Sequence, residues 1–454
     1  MKILHYSLGF PPYRSGGLTK YCMDLIRVQK ESGHDVALMW PGKFFLSGHF
    51  VRFKKSTKKV KSVGKVESVE LINPLPVPLD EGITDFDAYT RECKNPETFD
   101  KLLKEIKPDV IHIHTLMGLH REFLEVAKEQ GIRMIFTSHD YFGICPKVTM
   151  FRNGDVCNGD CSRCHECNQG ALSIKKIRLM QSSTYRFLKD SPPVKLLRKR
   201  HRNQFFREEV VEEAPLEMTE EKINYREDYM ELRHYYLGML ELVDEIQFNS
   251  SVTEMVYRQF IPKGVRGRVI NISHENIRDS RRRKEVSEPL NIIYLAPPKP
   301  FKGYGILREA LDELWEEGNE NFRLHIYGNS VPKADYLTIH KQFDYSELEQ
   351  IFETMDLLVA PSIWYETFGF TVLEALSFGV PVLVSNRVGC KDLLDGGYFG
   401  MVIQPTKEDL KMAIQYITEH PELLKEYNRR IVEEMDLSKV LHFSEEVEAM
   451  YGEE

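Results

Sequence analysis

The feature that most restricts the fold is an alternation of short apolar runs with amphipathic stretches, met twice along the chain. The first run, KILHYSL, is followed by the turn residues Gly9, Pro11, Pro12, Ser15, Gly16 and Gly17. Next come Leu18, Tyr21, Cys22, Leu25 and Ile26, whose spacing puts them on one face of a helix. Gly33 ends that helix, and Asp35 to Trp40 begins a second strand. Strand, glycine turn, helix and strand make a βαβ unit, and a helical crossover joins strands that run parallel. The series continues with a helix at 98–106, a strand Val110–His114, a helix at 120–130 and a strand Met134–Ser138. It resumes at Asp244–Asn249 and Arg268–Ile272. After the polar run Arg278–Glu288 it starts again as strand Asn291–Leu295, helix 305–316, strand Phe322–Tyr327, helix 346–354, strand Leu357–Ala360, helix 369–378 and strand Val380–Ser385. The expected fold class is α/β with two parallel-sheet domains, 1–275 and 289–432, joined by a linker 276–288. A closing helix in 433–454 is placed to cross back.

A length of 454 residues exceeds one core, since single cores stop growing near about 250–300 residues. The surplus lies at 141–245, an insertion that interrupts the alternation. Lys175 to Arg207 holds eleven Lys/Arg against Asp190, and Glu208 to Glu231 holds ten acids against two bases, so long helices that partly pair are expected. The net charge of -8 lacks the basic excess of a nucleic-acid binder, so no nucleic-acid partner is expected. The opening MKILHYSLGFPPYRSGG has no basic segment ahead of an apolar run, and no stretch reaches about 18 uninterrupted apolar residues. A cytoplasmic chain without a membrane span is the expectation.

The most informative segment runs from Pro361 through Glu366, Thr367, Phe368, Gly369 and Glu374 to Gly379 and Pro381. Its loop follows strand Leu357–Ala360, and open α/β sheets bind ligands at the carboxyl ends of their strands. The helix that starts near Thr367 to Gly369 offers unpaired N–H groups and a positive dipole end, which suits a phosphate. Glu374 lies among Phe370, Val372, Leu373, Ala375, Leu376 and Phe378, so its carboxylate is buried and needs partners. Vicinal sugar hydroxyls fit that role, as each donates to a carboxylate oxygen. The competing reading pairs Glu374 with a core Lys or Arg and leaves Glu366 an ordinary loop acid.

Glu366 and Glu374, with seven residues between them and Ala-Leu-Ser-Phe-Gly-Val-Pro-Val after, resemble the E-x7-E signature of family 4 glycosyltransferases of GT-B fold. The resemblance extends to Gly16-Gly17, to Gly33-His34-Asp35-Val36, to Pro108-Asp109-Val-Ile-His112-Ile-His114, to Ser138-His139-Asp140 and to Phe301-Lys302-Gly303. It implies two Rossmann-like domains facing each other across a cleft, with the acceptor in the first and a nucleotide-sugar donor in the second. By position it implies that Glu366 meets donor-sugar hydroxyls, and that Thr367, Phe368 and Gly369 lie against the donor, the last two through N–H groups. Glu374 would hold the ribose diol, Lys302 the diphosphate, and His139 would lie near the transferred sugar. Gly16 and Gly17 would let the first loop approach the phosphates. The nucleobase would fall near Phe343, Asp344 and Tyr345, with Gly328 and Asn329 nearby. The reaction implied is sugar transfer with retention to a glycan or polyprenyl-diphosphate-linked acceptor, in bacterial surface polysaccharide or glycolipid assembly, with no catalytic metal.

One position departs from the family. Pro297 stands where an arginine is usual, five residues before Lys302, and Lys299 is the available second cation, without the bidentate fork of arginine. That departure sustains a second expectation, a sugar-nucleotide-binding protein of the same fold with weak catalysis. His112 and His114 alternate with Ile111 and Ile113, share a face and read as structural. Asp85 and Asp87 spell a DxD that reads as loop chemistry.

Cys157, Cys161, Cys164 and Cys167 fall within eleven residues, and without an export signal they read as thiols or metal ligands rather than disulfides. A structural zinc site is expected from them, with Cys145 or His165 able to replace one ligand. The spacing of Cys157, Cys161 and Cys164 also matches the iron–sulfur segment of radical-SAM enzymes, a rival reading. Two basic runs remain, Lys54 to Lys65 and Lys195 to Arg207, the second interleaved with Leu196, Leu197, Phe205 and Phe206. They suggest peripheral contact with an anionic membrane surface.

Overall fold

The computed structural model describes all residues except 12, 15, 46–49, 61, 153, 190, 198–219, 329–330 and 453–454. The strands in chain order are β1 Lys2–Tyr6, β2 Asp35–Pro41, β3 Arg52–Val60, β4 Gly64–Ile72, β5 Val110–Ile113, β6 Arg133–Ser138, β7 Phe151–Arg152, β8 Asp155–Val156, β9 Glu245–Phe248, β10 Gly267–Val269, β11 Leu290–Tyr294, β12 Phe322–Tyr327, β13 Leu337–His340, β14 Leu357–Ala360, β15 Val382–Ser385 and β16 Met401–Ile403.

Two open sheets result. The first has the order β10-β9-β6-β5-β1-β2-β4-β3, parallel throughout except that β3 runs antiparallel to β4. The second, β13-β12-β11-β14-β15-β16, is wholly parallel. In each sheet the strand order reverses beside its first strand, at β1/β5 and at β11/β14. Such switch points splay adjacent loops apart at the carboxyl ends of the strands and leave a crevice for ligand. The loop after β1 carries Gly16 and Gly17, the loop after β11 carries Lys299 and Lys302, and the loop after β14 carries Glu366.

Several elements differ from the sequence expectation. The lysine run 54–65 lies largely on the β3–β4 hairpin at a sheet edge, where lysine discourages pairing with another chain; Lys61 falls outside the described residues. The basic stretch of the insertion begins as two short helices, Ile174–Met180 and Ser183–Leu188, in place of one long one. The acidic stretch ends in the long helix Glu220–Leu240, and any pairing through 198–219 lies outside the described residues. β15 begins at Val382 because Pro381 has no N–H to give the ladder.

The polar run 278–288 is coil but not loose. The Arg281 guanidinium donates to the carbonyls of Ile431 and Met435, both at 2.6 Å, and Arg283 pairs with Glu433. At the end of the chain, helix Phe443–Gly452 packs on the first sheet. Arg133 Nε donates to the Met450 carbonyl at 2.6 Å, and the Phe443 ring lies 5.5 Å from Tyr21.

Candidate active site

The loops after β11 and β14 touch. Gly303 has φ +75, and a Cβ there would lie 2.0 Å from the Pro361 carbonyl oxygen, so only glycine allows this approach. The turn Pro300–Lys302 thereby delivers the Lys302 ammonium to Glu366 Oε1 at 2.5 Å. Ser362 Oγ donates to the other oxygen, Oε2, at 2.6 Å. Lys302 Nζ also lies 5.0 Å from the Trp364 ring centre, and Lys299 Nζ 5.2 Å from that of Phe301. Glu366 is held through its backbone as well, its N–H donating to the Arg387 carbonyl and its carbonyl accepting from Gly389.

Thr367 joins the two domains. Its carbonyl accepts from Ser250 Oγ at 2.8 Å and Thr253 Oγ1 at 3.0 Å, and its own hydroxyl donates to the His139 carbonyl at 3.1 Å. Ser251 Oγ donates to Asp392 Oδ1 at 2.5 Å in the same seam. The next residues, Phe368 and Gly369, lead into helix Phe370–Ser377, with Gly369 as its N-cap at φ +102. A Cβ at Gly369 would meet Val388 at 3.0 Å, and one at Gly17 would meet the Phe370 ring at 3.5 Å. The amino ends of helices Gly17–Glu31 and Phe370–Ser377 therefore approach each other across the cleft, Gly16 capping the first at φ +123. Two helix dipoles converge there, and converging dipoles favour an anion.

Glu374 is 7% exposed, and its partners are not a core Lys or Arg. Its Oε1 accepts from the Tyr345 hydroxyl at 2.7 Å and faces His274 Nε2 at 3.2 Å. Burial and the adjacent carboxylate hold the Tyr345 phenol well above its usual range, so it remains the donor. Phe343 packs edge-on to Tyr327, and the Asp344 carboxylate is engaged in a capping box with Glu347 over the turn Tyr345–Glu347. Gly328 turns at φ +68, while Asn329 lies outside the described residues. At Pro297 the carbonyl accepts from the Tyr294 hydroxyl at 3.1 Å, which ties the loop back to its strand.

His139 follows β6, with its Nε2 3.1 Å from His114 Nδ1 and its Nδ1 3.5 Å from Asn249 Nδ2. Burial pushes its imidazole down to about 3, so the ring is neutral. Burial pushes the neighbouring Asp140 up to about 6, against the N–H of Phe142. Asp85 caps helix Phe86–Thr90, its Oδ1 accepting from the Ala88 N–H at 3.2 Å.

Sequence reasoning missed Ser362, His274 and Arg387. Ser362 and Arg387 sit just past the ends of β14 and β15, so their position after a strand was the available signal. Arg387 Nη1 donates to the Ile363 carbonyl at 2.5 Å and reaches Asp155 of the insertion at 3.2 Å. His274 lies 100 residues from Glu374, and nothing local announces that pairing.

The cysteine segment follows hairpin β7–β8 and runs into helix Cys164–Asn168, which carries Cys164 and Cys167. All eight cysteines are free thiols. The Gly159 N–H donates to Cys157 Sγ at 3.3 Å, and Arg233 Nη2 to Cys161 Sγ at 2.9 Å. Among the described residues, the trio of metal-type donor atoms lying within 4.8 Å of one another is His5, Cys22 and His114, not a set of these thiols.

Two parallel-sheet domains meeting across a seam, with a lysine, two glutamates and two helix amino ends at their switch points, define a GT-B protein. Residues 276–434 match the family model described as glycosyl transferases group 1, and residues 15–155 that of glycosyltransferase family 4. The chain belongs to the group 1 glycosyltransferases of GT-B fold. An uncharacterized 41.2 kDa protein in the cps region of Klebsiella pneumoniae is 26% identical over 152 residues, covering 32% of this chain and 41% of that one. The lipopolysaccharide 1,6-galactosyltransferase of Escherichia coli (strain K12) is 24% identical over 183 residues, covering 36% and 50%. The matched stretches thus span half or less of these curated relatives. Among solved structures, Anabaena HepE in complex with UDP and glucose superposes with a TM-score of 0.51 at 13% identity, over 99% of both chains.

Proposed function

We propose that this protein transfers a sugar from a nucleoside-diphosphate donor to a glycan or lipid-linked acceptor, with retention of anomeric configuration. The observation that carries the reading is the Lys302–Glu366–Ser362 cluster at the β11/β14 switch point, bound through Thr367 to the domain that holds His139. Lys302 and the amino end of helix Phe370–Ser377 stabilise the diphosphate as its bond to the anomeric carbon breaks and the electron pair passes to the leaving oxygen. The acceptor oxygen bonds to that carbon on the same face, and its proton goes to the departing phosphate. Glu366 exchanges Lys302 for hydroxyls of the donor sugar, and Glu374 receives the ribose diol beside Tyr345. The relatives' connection with lipopolysaccharide and with a cps region supports bacterial surface polysaccharide or glycolipid assembly as the setting. Release of nucleoside diphosphate from radiolabelled UDP-, GDP-, ADP- and dTDP-sugars tests the reading. Binding of a donor without its turnover would favour the weakly catalytic alternative, for which Pro297 speaks.

Among the described residues, no helix is long and apolar enough to cross a membrane. A peripheral contact has support in the exposed Phe45, Phe50 and Phe187, the last 87% exposed, which accompany the lysines of β3 and the basic helices of the insertion. Anionic lipid near such a surface is worth about 1 kcal/mol per basic residue. Sedimentation with anionic but not neutral liposomes is the expected outcome, and equal binding refutes it.

For the cysteine segment the proposed ligand is a structural zinc ion. Backbone N–H groups bear on two of the sulfurs, and an N–H aimed at sulfur favours the thiolate form that a metal takes. Gly159 serves Cys157, and at Cys145, whose thiol burial pushes up, the N–H groups of Met150, Lys147 and Thr149 pull the other way. Binding draws the sulfurs closer than they stand. Stoichiometric zinc in colourless protein supports this, while iron with a visible absorption band favours the radical-SAM rival.

A further inference from the structure

Across the inner face of the first sheet runs a stripe of polar side chains where apolar packing is the rule. His5, His112 and Gln29 are fully buried, His114 is 1% exposed and Tyr451 is 4% exposed. His5 and His112 are register partners on β1 and β5, and His114 follows two residues on, so the three rings share one face. The His112 and His114 rings stack at 4.3 Å, and His114 and His139 at 5.4 Å. Buried polar groups of this kind are tolerated only when each finds a partner, and every ring nitrogen in the stripe has one.

The direction of those hydrogen bonds can be worked out from one end. The Ile270 carbonyl only accepts, so the group facing it at 3.2 Å is the amide nitrogen of Gln247. Gln247 Oε1 then faces Thr137 and accepts from its hydroxyl at 2.8 Å. With its proton so used, Thr137 Oγ1 accepts from His112 Nε2 at 2.6 Å. The neutral His112 ring therefore accepts at Nδ1, from the Tyr451 hydroxyl at 2.6 Å. Tyr451 in turn accepts from the Gln29 amide nitrogen at 2.9 Å, which turns Gln29 Oε1 toward His5 Nε2, 2.7 Å away. His5 donates there and accepts at Nδ1 from His114 Nε2 at 3.0 Å, and His114 accepts at Nδ1 from His139 Nε2 at 3.1 Å. Each ring has one donor and one acceptor nitrogen, so no link can reverse alone.

We propose that this buried ladder is a directional relay that fixes His139 as the Nε2–H tautomer, leaving Nδ1 as a hydrogen-bond acceptor, with Tyr451 of the carboxyl-terminal helix as its joint. Asn249 Nδ2 faces His139 Nδ1 at 3.5 Å, and because Asn249 Oδ1 has no partner among the described residues the amide can turn to suit either tautomer and does not itself fix the ring. Neutral rings are what burial favours here, since it lowers His5 to about 4 and His112 and His114 well below the ordinary value. Both nitrogens of His5 and of His114 are taken by hydrogen bonds, so the trio with Cys22 belongs to the relay and not to a metal. Tyr451 and Gln247 are positioning residues. Their effect on turnover rests on the reading that His139 Nδ1 accepts the proton of a donor-sugar hydroxyl; an N–H at that place can only donate to the hydroxyl oxygen and leaves the O–H without this partner.

The test is the tautomer itself, read from side-chain 15N–1H long-range correlation spectra of the full chain labelled in histidine, with His139 assigned by its loss in His139→Asn. Wild-type protein is expected to show His139 protonated at Nε2 alone. Tyr451→Phe and Gln247→Leu each free the ladder to run either way, and both should give a mixture of His139 tautomers. If the two directions become equal in energy, half the molecules are competent and kcat/KM falls about twofold. His139 remaining wholly Nε2–H in both variants overturns the relay, whatever the turnover. A mixed tautomer with unchanged kcat/KM upholds the relay and sinks the contact between His139 and the sugar.

Discussion

Lys302→Ala separates the two roles that Lys302 has in this account. In the folded protein Lys302 is the counterion of Glu366, and both side chains are 17% exposed. Removing one partner of a fully buried pair costs about 3–5 kcal/mol, and an exposed pair is worth about 0–1 kcal/mol. Glu366 keeps its bond from Ser362 Oγ at 2.6 Å and partial access to water, which sets the cost nearer the lower range, about 1–2 kcal/mol. For domains of this size the melting temperature should then fall by about 2–8 °C. On the proposed reading the ammonium faces charge developing on the leaving diphosphate, and loss of one such stabilising group costs about 10²–10³ in kcat. The assay is initial-rate release of nucleoside diphosphate from the donor, at a temperature well below the melting point of both proteins. A variant that melts earlier but releases nucleoside diphosphate at the wild-type rate would show Lys302 to be a structural counterion and nothing more.

Glu374→Leu removes the acceptor of the Tyr345 hydroxyl and the partner of His274, and with them the proposed ribose contacts; donor affinity measured by calorimetry should fall by about 1.5–3 kcal/mol, with unchanged affinity contradicting the assignment. Gly303→Ala sets a Cβ 2.0 Å from the Pro361 carbonyl at φ +75, so the loops after β11 and β14 must part; lower thermal stability and loss of donor binding are expected together. Stability should also drop on acidification. His5, His112, His114 and His139 all titrate lower in the folded than in the unfolded chain, so the unfolded chain binds more protons below about pH 6.5. Each histidine then removes roughly 1.4 kcal/mol per pH unit until its folded value is reached, while Asp140, raised to about 6, works in the opposite direction. A melting temperature that stays level from pH 7 to pH 5 would mean that the ladder is not neutral as described.

The parts of this molecule written in local sequence were legible. Helix-period and strand-period patterns located β1, β2, β5, β6, β9, β11, β12, β14 and β15, and the lone carboxylate among apolar neighbours singled out Glu374. The β3–β4 hairpin was not, because its lysines look like a solvated run, and Phe53 and Val60, seven residues apart, point to opposite faces of the strand and mark no single apolar side. β13 is half-exposed with only Leu337 and Ile339 apolar, and β16 has three half-buried residues, so neither stands out as an apolar run. The parity of His112 and His114 revealed a shared face, but their role depends on Tyr451, 339 residues from His112, and on Gln247. Long-range partners of that kind leave no periodic trace. Likewise the basic block 281–284 reads as a linker until the fold brings Ile431 and Met435 to Arg281 and the carbonyls of Phe352 and Met355 to Lys284.

The claim on which the rest depends is that the seam between the two sheets holds a nucleotide sugar through Lys302, Glu366 and Glu374. A thermal-shift titration of the wild-type chain and of Glu374→Leu against UDP-, GDP-, ADP- and dTDP-sugars measures this directly. Ligand at a hundred times its dissociation constant stabilises by about 2.7 kcal/mol, well above the resolution of the method. One nucleotide class is expected to raise the melting temperature of the wild-type chain and to do so much less in the variant. No shift with any of the four, or an equal shift in both proteins, would contradict it.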